Sequence, residues 1–164
     1  MDAALNSLRA ALVLYAAGFA TALAGVLREG TRAARWTPWI ASAGALFHTA
    51  GLFALGWALG RCPLGTLPEV LAGMSWAAIL IYLFVWWRYR VEVLHVVVLP
   101  LVLIVLFVSK ILPGEMFPVG PAMQPALLRV HLGTIIVAVG ALFVTFAASL
   151  VYLVVDHALK AKRP

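Results

Sequence analysis

A histidine, a cysteine-containing turn and a glutamate follow one another within a short part of this apolar chain. His48 lies inside one hydrophobic segment, Cys62 lies in the turn after it, and Glu69 opens the next segment. An imidazole in hydrocarbon is costly without a partner, so His48 is either hydrogen-bonded to a neighbouring helix or part of a functional site. The functional interpretations are a haem or metal ligand and a proton relay.

A second histidine, His131, follows Arg129 near the start of the last hydrophobic segment. One interpretation is that its imidazole binds haem iron axially while Arg129 meets a propionate. The other is a polar pair that reaches the lipid headgroups from the interface. His95 is expected near the opposite surface, either solvated or paired with Glu92. His157 is expected at a helix C-terminus, where the macrodipole favours it.

The residues Thr66 to Glu69 match the capping box S/T-x-x-E. Thr66 is predicted to cap the next helix, with Glu69 reaching back to the backbone N–H of Thr66. This explains Glu69 without a ligand, whereas a functional Glu69 would lie at the outer membrane surface beside a polar cofactor edge. Cys62 has no second cysteine for an internal disulfide. It is expected to be an incidental thiol, although outward exposure would allow redox chemistry with a partner.

Composition identifies an integral membrane protein. The chain has 164 residues, of which 65% are hydrophobic and only 11% charged, whereas soluble domains carry about a quarter charged residues. Residues 1–164 are therefore predicted to form a single integral membrane domain. The net charge of +6 is attributed to basic cytoplasmic loops, and nucleic-acid binding is rejected.

Five apolar runs are each long enough to cross a bilayer as a helix. The predicted fold is therefore an all-α, polytopic membrane helix bundle, because open sheets leave backbone groups unsatisfied in lipid. The predicted spans are 5–27, 38–60, 68–87, 91–112 and 126–155. The Pro/Gly-rich loop 113–125 is expected to be either a connector or a short lid.

The basic residues predict the orientation. Eight of the 12 Lys and Arg residues fall on one side of the predicted spans. By the positive-inside rule the N-terminus lies outside and the C-terminus in the cytoplasm, so the Cys62 turn faces outward. The eight residues are Arg28, Arg32, Arg35, Arg88, Arg90, Lys160, Lys162 and Arg163.

The order of these residues resembles the cytochrome c assembly membrane proteins of the CcsA type and their HemX-like relatives. That family has a pattern of the form H-x-x-G-L, then G-x-x-P-L, then E-x-L-x-x-x-S-W. The segment LLRVHLG and the tail VYLVVDHALKAK are also similar, so the resemblance covers most of residues 40–162. The pattern is matched by His48, Gly51, Leu52, Gly60, Pro63, Leu64, Glu69, Leu71, Ser75 and Trp76.

The resemblance implies a multi-pass protein of the bacterial cytoplasmic (inner) membrane that binds haem and presents it outward for cytochrome c biogenesis. His131 would be one external axial ligand of the haem iron, and Arg129 and Trp76 would belong to the same binding set. His48 would be an intramembrane polar site, and Glu69 would support the outer turn. An apocytochrome c would supply the C-x-x-C-H thiols.

Two departures from the family pattern matter. Arg61 and Thr66 stand where the family turn usually has histidine and asparagine, and the segment W-G-x-x-W-x-W-D is absent together with its second external histidine. The chain is thus expected to be a fragment, to need a second membrane protein that supplies this segment, or to have lost the synthase chemistry. It is not expected to be a complete enzyme alone.

Two other functional classes stay open. A b-haem electron-transfer subunit of a quinone-linked complex would have two histidines at matched depth on facing helices. A cofactor-free structural accessory subunit would need its histidines only for stability.

Overall fold

Five α-helices form the fold. The structure, a computed structural model, describes residues 2–28, 32, 34–116 and 125–161. All five helices are long and apolar enough to cross a membrane, and the described residues contain no strand beyond one isolated bridge. The predicted all-α membrane bundle is thus confirmed. The helices are α1 (Asp2–Leu27), α2 (Thr37–Leu59), α3 (Leu67–Tyr89), α4 (Leu94–Ile111) and α5 (Pro125–Ala161).

The helix ends differ most from the predicted spans around α4 and α5. Arg90 takes the left-handed conformation (φ 56) and ends α3. Its guanidinium lies 4.6 Å from the Trp86 ring centroid. The next helix, α4, starts at Leu94, three residues later than predicted. α5 continues through the polar tail to Ala161, and Lys160 there donates to Asp156 one turn earlier at 2.7 Å. Lys162, Arg163 and the loop 117–124, with its connector or lid prediction, lie outside the described residues.

The first four helices form a ring, and α5 packs outside it. In the part of the chain that the structure describes, α1 contacts α2 and α4, while α3 contacts α2 and α4. α5 lies against α3 and, less extensively, against α4. No Cα atoms of α2 and α5 come within 8 Å of each other. Both α2 and α5 therefore flank α3 and leave a gap between them.

Small residues determine where the helices approach each other, as is common in membrane bundles. A Cβ at Gly44 of α2 would lie 2.6 Å from the Tyr15 ring of α1. A Cβ at Gly140 of α5 would lie 2.9 Å from both the Ala77 side chain and the Ala78 backbone nitrogen of α3. Glycine at these two positions lets α1 pack closely on α2, and α5 on α3.

The two ends of the bundle differ in chemistry. The turn end carries the connection between α2 and α3, residues 60–66, with Arg61 and Cys62. The basic end carries Arg28, Arg88 and Arg90, and exposed tryptophans Trp36, Trp39 and Trp87 lie near it. Tryptophan and tyrosine are enriched at membrane interfaces.

Candidate functional site: a cleft between helices α2, α3 and α5

The turn between α2 and α3 is held by a charged pair. Gly60 ends α2 in the left-handed conformation (φ 62), which glycine adopts without strain. The chain then reverses so that Arg61 meets Glu69: Nη1 donates to Oε2 at 2.8 Å and Nη2 to Oε1 at 2.7 Å. Hydrogen bonding to the Glu69 carboxylate raises the pKa of Arg61 above its ordinary value. The guanidinium is therefore permanently charged.

The structure confirms that Thr66 caps α3, and it gives the Glu69 carboxylate more partners than the capping box predicts. Thr66 takes an extended conformation, and its Oγ1 accepts from the backbone N–H of Glu69 at 3.3 Å. The Glu69 carboxylate accepts from the backbone N–H of Gly65 at 2.7 Å and also interacts with the predicted Thr66 backbone N–H. The additional partner is Arg61, which binds both carboxylate oxygens with charge-assisted hydrogen bonds.

The start of the α4–α5 connection lies against this turn. Met116 forms an isolated antiparallel bridge with Thr66, and its sulfur accepts from Arg61 Nη2 at 3.4 Å. A Cβ at Gly65 would lie 2.7 Å from Arg61 Nη1 and 3.3 Å from the Met116 methyl group. Arg61 and Met116 therefore pack against the turn, and the turn covers the end of the bundle between α2 and α3.

Beneath this turn lies an apolar cleft of about 710 Å³. α2 forms one wall, α5 forms the other, α3 forms the floor, and the turn forms the roof. The cleft exists because α2 and α5 both pack on α3, while no Cα atoms of the two helices come within 8 Å of each other. Its lining includes Phe53 and Trp57 of α2, Trp76 of α3, and Gly133 and Val137 of α5. Two indoles therefore face one space.

The floor of the cleft is tied to its α2 wall. Trp76 Nε1 donates to Thr49 Oγ1 at 2.8 Å, and that hydroxyl donates to the Ala45 carbonyl at 2.7 Å. On the other side, Ile136 of α5 packs against α3 at Gly73. Trp76 was predicted to belong to a binding set, and the structure places it here among the lining residues.

Arg129 and His131 lie on different sides of α5. Arg129 precedes Gly133 by four positions and Ile136 by seven, so helical periodicity puts it on the cleft side, one turn closer to the helix start. His131 lies about 140–160° around the axis from Gly133 and Ile136. Its side chain is exposed, and it is not among the residues that line the cleft.

His48 lies inside the four-helix ring, eleven residues from either end of α2. Its side chain is 0% exposed, and Nδ1 shares a hydrogen bond with the Tyr15 hydroxyl at 3.2 Å. Nε2 is buried and makes no hydrogen bond within the described residues, and the Ala72 backbone of α3 lies close to the imidazole. His48 thus has the structural partner that one interpretation required, while one nitrogen stays uncommitted. It does not line the cleft.

The structure does not bring His48, His95 and His131 together. His95 is buried at the basic end, hydrogen-bonded to the Tyr82 hydroxyl and close to the Trp86 ring. Neither expected arrangement, solvation or a pair with Glu92, is the one observed. His48 lies at mid-depth and His95 at the start of α4, so these two do not form the matched pair that a b-haem subunit would need. The described residues contain no cluster of three metal-binding side chains.

Sequence reasoning missed three important residues. Arg61 was not predicted to pair with Glu69, although a basic and an acidic residue on either side of a tight turn could have indicated the pair. Tyr15, a tyrosine midway along an apolar helix, could have indicated a partner for His48. Gly133 carries no signal in the sequence, because only the gap between α2 and α5 makes it part of a cleft.

Comparisons with known proteins assign the chain to no family. No family model matches the chain, and no curated protein matches it significantly.

Proposed function

We propose that this protein binds haem in the α2–α3–α5 cleft and hands it on at the turn end, as a component of cytochrome c biogenesis. The observation that carries the proposal is the cleft itself, an apolar space lined by two indoles, with Arg61 in its roof. Pockets for small molecules typically measure about 300–1,000 Å³ and are mostly apolar with a few polar groups. The cleft volume of about 710 Å³ falls within that range.

The cleft residues fit the macrocycle better than the iron. Trp57 and Trp76 offer flat apolar faces to a porphyrin ring. By helical periodicity Arg129 falls on the cleft side of α5, one turn before the lining residue Gly133; its side chain is exposed and could reach a propionate at the rim. No histidine is among the described lining residues, so this chain would hold the ring and its carboxylates. Haem bound there supplies the iron porphyrin that a client apocytochrome receives.

The proposal therefore needs a partner. A second membrane protein with the tryptophan-rich segment would supply the iron ligands at the turn end, which is predicted to face outward in the bacterial inner membrane. His131, exposed on the far side of α5, remains a predicted external ligand. For that role, the haem would have to lie on that side of α5, against the partner. The two locations are separable by mutation.

Haem binding is tested by filling the cleft. A Cβ at Gly133 meets no atom within 4 Å, so Gly133→Phe projects its ring into the cleft without a clash. Ala138→Phe adds the same ring on an exposed part of α5 and is the matched control. The purified protein in mild detergent is titrated with haemin, and binding is followed by Soret absorbance and by quenching of tryptophan fluorescence.

We expect Gly133→Phe to weaken binding by about tenfold or more, equivalent to roughly 1.4 kcal/mol, while Ala138→Phe binds like the wild type. His131→Ala separates the two locations. A loss of the haem spectrum in His131→Ala, with Gly133→Phe unaffected, would place haem on the far side of α5 and contradict the cleft. A wild-type protein that binds no haemin would overturn the function and favour a cofactor-free structural subunit.

A further inference from the structure

The cleft is closed toward the turn end and open toward the bilayer. Its roof is the α2–α3 turn, where Arg61, Cys62, Pro63 and Leu64 all line the cleft. That roof is fixed by the Arg61–Glu69 pair and by the Met116 contact. A Cβ at Gly56 would lie 3.3 Å from the Pro63 ring, so the turn also folds down tightly onto α2.

Among the described residues, the side between α2 and α5 has no such closure. These two helices have no Cα atoms within 8 Å of each other in the described ranges. The side chains along this opening are large, apolar and exposed: Phe53 is 75%, Trp57 92% and Val137 56% exposed. Phe53 and Val137 lie along helices that span the membrane, where such surfaces meet lipid chains. Trp57 lies in the last turn of α2, where tryptophan is typical of the membrane interface.

We propose that the cleft is loaded from within the bilayer, through the opening between α2 and α5. The ligand then comes from the lipid phase. It is a flat amphiphilic molecule that partitions into lipid and has an anionic edge. The inference rests on the proposed function of the same cleft and adds the route by which it fills.

The charges agree with this route. The opening and the walls are apolar, so an apolar ring moves from lipid to cleft without losing hydration. A ligand arriving through the roof would instead have to displace Arg61, which is held by two bonds to Glu69. Breaking a partly buried charged pair is costly, because it leaves a carboxylate that is 10% exposed without its counter-ion.

The test compares two sources of haemin for the full-length protein in lipid nanodiscs. One source is donor lipid vesicles that contain haemin in their bilayer, and the other is haemin bound to albumin in the aqueous phase. Loading is followed by quenching of tryptophan fluorescence. Val137→Phe narrows the opening at an exposed position, and Ala138→Phe, the next residue, is the matched control.

We expect faster loading from vesicles than from albumin. Val137→Phe should slow loading from vesicles about tenfold and slow release by a similar factor, because an obstructed route affects both directions. Ala138→Phe should leave both rates unchanged. Equal slowing of loading and release distinguishes a narrowed opening from weakened binding, in which release becomes faster.

A second measurement needs no haemin. In a variant that keeps Trp76 as its single tryptophan, lipids brominated along their acyl chains should quench Trp76, and Val137→Phe should reduce that quenching. Two results would overturn the route and leave the proposed function standing. In the first, the protein binds haemin at equilibrium but loads no faster from vesicles than from albumin. In the second, Val137→Phe leaves the rate of loading from vesicles unchanged. No haemin binding at all, with Trp76 still quenched, would overturn the function alone.

Discussion

The Arg61–Glu69 pair concentrates the few charges of the turn end at a point where they fix the backbone. The Glu69 carboxylate accepts from both terminal nitrogens of Arg61 and from the Gly65 N–H, while the Glu69 backbone N–H is capped by Thr66. A helix start and a reversing turn thus share one side chain. One carboxylate thus fixes two pieces of backbone in a chain with only 11% charged residues.

A double-mutant cycle measures this pair. We expect Arg61→Gln and Glu69→Gln to show a coupling energy of about 1–2 kcal/mol in the free energy of unfolding, because charge-assisted bonds exceed neutral ones even when partly exposed. The Asp156–Lys160 pair is the matched control. Its side chains are 33% and 69% exposed, and such helical pairs give about 0.3–0.5 kcal/mol. Equal coupling in the two cycles would contradict the role of the turn pair.

At the scale of elements, α5 determines whether the cleft exists. Gly140 of α5 packs closely on α3, and Ile136 of α5 packs on Gly73 of α3. The same face of α5 also forms a wall of the cleft, because α5 does not approach α2. Gly133 and Gly140 are two helical turns apart on that face. Their surroundings differ completely: one faces open space, and the other faces the α3 backbone.

The two glycines give a matched prediction. Gly140→Leu should lower the free energy of unfolding by about 1–3 kcal/mol, because its Cβ alone would lie 2.9 Å from the Ala78 nitrogen. Gly133→Leu should leave stability unchanged or slightly raised, because leucine is the better helix former. Unfolding of both variants in mixed micelles measures the difference. A loss of the same size in both would show that α5 does not pack on α3 as described.

At the scale of the whole molecule, the orientation of the bundle remains the prediction on which delivery at the outer face depends. The single cysteine provides a direct measurement, since Cys62 is free and exposed at the turn end. A membrane-impermeant thiol reagent added to intact spheroplasts should label Cys62, because the basic residues predict that this end faces outward.

The control for this labelling moves the thiol to the other end. In the variant Cys62→Ser, Tyr89→Cys, the thiol lies at the basic end, where Tyr89 is 64% exposed. That thiol should react only after the membrane is permeabilised. Labelling of Tyr89→Cys in intact spheroplasts, with Cys62 protected, would reverse the orientation and place the cleft roof in the cytoplasm.

The sequence alone determined the elements. Long apolar runs must form helices, because lipid offers no partner for open backbone groups. The Thr66 cap was likewise readable from a local pattern. The ring of four helices, the outlying position of α5, the Tyr15–His48 contact and the cleft were decided only by the tertiary structure. The reason is that lipid-facing and buried helix surfaces are equally apolar, so helix partners depend on which small residues allow close approach.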